Sequence, residues 1–264
     1  MEHALPAKRR ITGIVVTCLA LVLVALAGYV VVQTRHDEKG SLEPMAVLAS
    51  PSPTPSAHGS TVAAPQTSWL VAEAKRATAV YRRPSAEAPL RVRLPRINAH
   101  GCVTVMLVRS IRTVGGATWY DVWLPLRRNF SSGWVKAGDV GVYPTAAEIV
   151  VDLSARRLTV YRHGKPMDHF TVAVGSAQYP TPTGSFFVAE KTTPPPGGPY
   201  GVLALGLSGY QPLLPTRGAL AIHGTDNDAV LGQAVSEGCI RMRNADVVKV
   251  SRWVPAGSPV LIAP

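Results

Sequence analysis

Acidic side chains are scarce: 16 Asp and Glu stand against 27 Lys and Arg in 264 residues, a net charge of +11. Cysteine is scarcer. Cys18, Cys102 and Cys239 are too few and too scattered for a disulfide-stapled scaffold or a four-cysteine zinc site. No CxxC, HExxH, GxxxxGK[ST] or GxGxxG occurs, so the zinc-protease, P-loop and dinucleotide signals are absent. What is present is ample for a core: 47% of residues are hydrophobic, which excludes wholesale disorder.

Ile11 to Val32 form one uncharged, mostly apolar run. As a helix it would reach roughly 33 Å, enough to cross a bilayer. Lys8, Arg9 and Arg10 precede it, which places residues 1–10 in the cytoplasm and the rest of the chain outside. Ala25-Leu26-Ala27 fits a signal-peptide cleavage site, so cleavage after Ala27 and secretion is the alternative. The uncleaved anchor over 11–33 is preferred, because Tyr29 to Val32 prolong the apolar run. Residues 34–67 are rich in Pro, Ser and Thr and read as an extended spacer.

Charge divides the rest of the chain. Residues 68–145 carry twelve basic and four acidic side chains, whereas 146–264 carry ten and eight. The first part reads as short strands at 79–81, 103–108, 119–124 and 133–135, separated by turn signals that include Gly115-Gly116. Its VYRRP, WYDVWLP and GWV segments resemble a bacterial SH3-like domain, a small β-barrel. A basic barrel outside the membrane would attract an anionic wall polymer, and export argues against nucleic acid. Cys102 is expected as a buried apolar residue.

In the second part Phe170, Val172 and Val174 share one strand face, and further strands are expected at 158–161, 186–189, 202–205, 219–223 and 259–262. Asn244 is the expected N-cap of a helix over 245–254, ended by Pro255 and Gly257. The fold class is mostly β with one notable helix.

Chemistry concentrates in HGTDNDAVLGQAVSEGCIRM, from His223 to Met242. It holds one His and one Cys, each beside glycine. A free thiol is mostly protonated at neutral pH, and an imidazole within reach can take its proton. Neighbouring glycines let main-chain N–H groups approach an incoming carbonyl. The bland alternative is a buried inert Cys and a surface His. Two ligands do not make a zinc site, and Ala245 stands where a cysteine phosphatase loop would need Arg.

The same segment resembles the signature of the YkuD-like L,D-transpeptidases, HGT followed by S-H-G-C-I-R. Asp152-Leu153 with Arg157-Leu158 resembles that family's opening hairpin, and Gly175 with Pro180-Thr181-Pro182-Thr183-Gly184-Ser185-Phe186 resembles its PTPxGxF element. The resemblance covers 146–264 and implies a β-rich L,D-transpeptidase catalytic domain. Cys239 would be the nucleophile and His223 the general base and acid, oriented by the backbone carbonyl of Gly224. Gly238 would supply an oxyanion N–H, while Ser236 and Arg241 would meet substrate. Glu237 departs from the pattern, standing where the family has His. The implied substrate is a peptidoglycan tetrapeptide stem, with no cofactor and no metal. Hydrolysis at the same thioester, or an inactive wall-binding protein, are the alternatives. The serine route of D,D-transpeptidases is excluded, since no S-x-x-K occurs.

Overall fold

The computed structural model describes residues 67–214 and 218–264. The expected tail at 1–10, the span at 11–33 and the linker up to residue 66 lie outside the described residues. Those described are β-rich, with a single α-helix among them.

The first seven strands are β1 (Trp69–Ala74), β2 (Thr78–Tyr81), β3 (Leu90–Leu94), β4 (Val105–Val114), β5 (Ala117–Trp123), β6 (Ser132–Lys136) and β7 (Val140–Thr145). They form one antiparallel sheet, β3-β2-β6-β5-β4-β1-β7. Alternate residues Val80, Met106, Val122 and Val135 bury themselves in a core of their own. Gly115 and Gly116 both take positive φ and close the β4–β5 hairpin, with Val114 paired to Ala117. β4 therefore runs well past the 103–108 read from sequence.

A second sheet of eight strands follows in the order β10-β9-β8-β17-β12-β13-β14-β16. Its members are β8 (Ala147–Asp152), β9 (Arg157–Arg162), β10 (Lys165–Thr171), β12 (Gly184–Thr192), β13 (Ala204–Tyr210), β14 (Ala219–Thr225), β16 (Ile240–Arg243) and β17 (Pro259–Ala263). Two short parallel strands, β11 (Val174–Gly175) and β15 (Ala234–Ser236), lie apart from it. Phe170, Val172 and Val174 enter one core with Leu158, Val160, Leu205 and Ile222, as their alternation predicts.

The helix α1 (Asn244–Trp253) buries Val247 and Val250. The sequence predicts Asn244 as its N-cap, yet the helix begins with Asn244, and Arg243 holds the cap position without a side-chain cap bond. The Asn244 carboxamide is used elsewhere. Its Oδ1 accepts from Val202 N at 3.0 Å and its Nδ2 donates to Asp226 at 2.6 Å.

The two sheets share a third core. On β12, Phe186 and Val188 face the second sheet's own interior, whereas Phe187 and Ala189 face Val71, Val105 and Leu107 of the first. Polar contacts flank this seam. Asn129 exchanges two hydrogen bonds with the backbone of Tyr210, at 2.8 and 2.7 Å. Phe130 stacks beside Phe186, ring centroids 5.5 Å apart.

Candidate active site

β14 and β16 run parallel, with Ile222 opposite Ile240 and His223 opposite Arg241. Leu220, Ile222, Ile240 and Met242 point into the core. Strand alternation therefore turns Ala219, Ala221 and His223 on β14, with Cys239 and Arg241 along its neighbour, to the opposite face. This is the face from which Phe187 and Ala189 meet the first sheet. The thiol of Cys239 reaches across to β14, 3.7 Å from the Ala219 carbonyl oxygen.

His223 is buried, 2% exposed. Its Nδ1 lies 2.7 Å from the Gly224 carbonyl oxygen, which can only accept. Nδ1 therefore carries the proton, and Nε2 is left as the proton acceptor. Burial is the main cause that pushes the imidazole down to about 4 from an ordinary 6.5; the Arg241 charge adds to this and the Gly224 carbonyl opposes it. Burial likewise raises the Cys239 thiol above its ordinary value, helped by Glu237 and opposed by the Ala221 backbone and Arg241. At neutral pH the depressed imidazole is uncharged and the raised thiol holds its proton.

The loop before Cys239 is tied internally. Ser236 is 1% exposed; its hydroxyl donates to the Cys239 carbonyl at 2.5 Å and accepts from Gly238 N at 3.1 Å. Thr181 donates to the Gly238 carbonyl at 2.9 Å and accepts from Gly175 N at 2.8 Å. The PTPTG segment thus braces the nucleophile loop. Gly238 has φ +113 and packs against Gln211, whose Nε2 donates to Pro180 O at 2.6 Å. Ser236, expected to meet substrate, spends its hydroxyl inside the loop. The Gly238 N–H, expected in an oxyanion hole, is engaged by Ser236 in this state. The Arg241 guanidinium acts electrostatically on both His223 and Cys239, and its buried Nε lacks a hydrogen-bond partner. Glu237 is exposed.

The Pro- and Gly-rich stretch Thr192 to Tyr200 reads from the sequence as a loop near the donor cleft, and its end lies over the histidine. Gly201 takes φ +60 and sits directly on Gly224, where a Cβ on either glycine would lie 2.1 Å from Asn244 Oδ1. That contact brings Tyr200 edge-on to His223, ring centroids 4.9 Å apart. Composition names none of these contacts. Cys102, expected to be buried and apolar, is half-buried, with its thiol 3.5 Å from the Lys191 carbonyl oxygen.

A family model for the L,D-transpeptidase catalytic domain, named YkuD, matches residues 146–262. The protein of Bacillus subtilis named as the L,D-transpeptidase YkuD is 38% identical over 120 residues, which cover 46% of this chain and 68% of that one. Its namesake in Bacillus licheniformis is 39% identical over 116 residues, covering 44% and 65%. The chain thus spans about two thirds of the length of these relatives. Among solved structures, L,D-transpeptidase 3 from Mycobacterium tuberculosis, in complex with a faropenem-derived adduct, is 21% identical with a TM-score of 0.39, covering 74% of this chain and 81% of that one.

Proposed function

Since the chain belongs to the YkuD family of L,D-transpeptidases, whose members are cysteine acyltransferases, we propose that it exchanges peptide bonds in peptidoglycan stems with Cys239 as nucleophile and His223 as base. One observation carries the assignment. His223 lies on β14 and Cys239 one residue ahead of β16, the parallel strand paired with it, and a neighbouring carbonyl fixes the imidazole with Nε2 unprotonated.

The thiol passes its proton to His223 Nε2 as sulfur attacks the carbonyl of the third, diamino acid residue of a tetrapeptide stem. The tetrahedral oxyanion is met by main-chain N–H groups of the Gly238–Cys239 turn, and the Gly238 donor becomes available when Ser236 releases it. The imidazolium then protonates the departing D-alanine amine. A side-chain amine of a second stem attacks the thioester, gives its proton to His223, and thiolate leaves to recover that proton. One peptide bond replaces another, so the exchange needs no nucleotide. Arg241, with a buried and unpartnered Nε, meets a stem carboxylate. The wider setting belongs to the same proposal: a membrane anchor over 11–33, a linker to 67, and an SH3-like module over 68–145 that holds the enzyme against anionic wall polymer.

Incubation with a disaccharide tetrapeptide and mass spectrometry of the products tests this. Cross-linked dimer and free D-alanine are expected, and Cys239→Ala should abolish both. Tripeptide without dimer would convert the reading to an L,D-carboxypeptidase. Undiminished turnover by Cys239→Ala would remove it altogether.

A further inference from the structure

A cavity of about 210 Å³ lies between the two sheets, lined by Asn98 and His100 from the loop after β3 and by Glu190, Gly206, Tyr210 and Ala219 from the catalytic sheet. Its lining reaches Ala219, whose carbonyl oxygen lies 3.7 Å from the Cys239 sulfur. The site described above makes no use of its single carboxylate.

Strand register places that carboxylate in line with the sulfur. Glu190 pairs with Gly206, and Gly206 with Ala221. Ile222 pairs with Ile240, so the next position along this row is Cys239. The Glu190 side chain lies over Gly206, where an added Cβ would stand 2.7 Å from Cγ and 2.9 Å from Oε1. Nothing larger than Gly206 and Ala221 separates the carboxylate from the nucleophile along the row. The side chain is 17% exposed and is held from the first sheet: His100 Nδ1 lies 2.6 Å from Oε1, and Asn98 Nδ2 donates to Oε2 at 2.6 Å. A carboxylate offers about four lone-pair directions, so two remain for a ligand. His100 is 62% exposed.

We propose that this cavity is the subsite for the acceptor stem, and that Glu190 selects acceptors bearing a cationic primary amine. The inference rests on the acyl-transfer function above and adds to it which groups bring the second substrate in. A largely apolar pocket holding one anchored carboxylate favours an ammonium over a neutral group, and the low local dielectric strengthens that preference. Asn98 and His100 make the first sheet a wall of the site. The amine reacts only after it leaves the carboxylate and loses its proton to solvent.

The test separates the two halves of the reaction in the full chain. D-alanine release from a disaccharide tetrapeptide reads the donor half. Transfer to a tripeptide stem with a free side-chain amine reads the acceptor half, and an analogue carrying an alkoxyamine, uncharged at neutral pH, serves as the control acceptor. In Glu190→Gln, the KM for the amine acceptor should rise roughly tenfold, the loss expected for one charge-assisted hydrogen bond. D-alanine release and transfer to the alkoxyamine should stay within about twofold on the same grounds. An equal loss in both halves, or an unchanged KM for the amine, overturns the proposal. The wild-type protein gives a check that needs no variant: its KM should favour the amine over the alkoxyamine, and equal values overturn the subsite. Absence of D-alanine release from the wild type would instead sink the function it rests on.

Discussion

At the scale of single residues, the two groups assigned to the chemistry are both held uncharged. Enclosure drives His223 down to about 4 and Cys239 upward, so neither carries charge at neutral pH. The base is then competent wherever the imidazole is unprotonated. Acylation should stay level from about pH 5 to pH 8 and fall only as pH drops through about 4. A pH–rate profile of D-alanine release checks this; an acid limb near 6.5 would show an imidazole that titrates as if exposed. The same displacement affects stability. Because the folded value is depressed, the unfolded chain binds more protons between 6.5 and about 4, and stability is lost as pH falls through that window. The loss approaches about 3 kcal/mol, and denaturant titrations of His223→Gln should lack it. Glu237 adds to the elevation of the thiol, so Glu237→His should retain or raise the rate of D-alanine release. A large loss would give that carboxylate a direct part in the reaction.

At the scale of elements, the site depends on how closely backbones approach one another. Gly224→Ala would drive a methyl against Asn244 Oδ1, displace the carboxamide from Val202 and Asp226, and free the loop that sets Tyr200 against His223. Turnover should fall by roughly 10- to 100-fold from misplacement alone, while overpacking costs about 1–3 kcal/mol; kinetics and thermal melting read the two effects separately. Much of this scaffold was legible in the sequence. The alternation of Phe170, Val172 and Val174, the glycine pair at 115–116 and the His…Gly-Cys segment each report a local requirement. Asn244 misleads because its residue type suits a cap, while its use depends on Gly201 and Gly224, brought to it by the fold. The bond between Ser236 and Gly238 was invisible for the same reason. A serine beside a nucleophile invites a substrate role, and only burial reveals that its hydroxyl is already committed.

At the scale of the whole molecule, Phe187 and Ala189 tie the first sheet to the second through the core with Val71, Val105 and Leu107. Charge balance alone suggests two separate pieces; the apolar seam joins them physically, because successive residues of β12 serve different cores. Phe187, fully buried, should cost about 3–5 kcal/mol when replaced by Ala. Calorimetry of residues 67–264 should record one transition, lowered as a unit by Phe187→Ala; two transitions, with only one displaced, would show that the sheets melt independently. The raised thiol of Cys239 also sets which agents can disable it. Alkylating reagents and peroxides consume thiolate, so iodoacetamide should react more slowly with Cys239 than with an ordinary thiol at neutral pH. A strained acyl compound that enters the cleft and draws the proton off through His223 meets no such barrier, and inactivation should follow electrophile shape rather than electrophile strength.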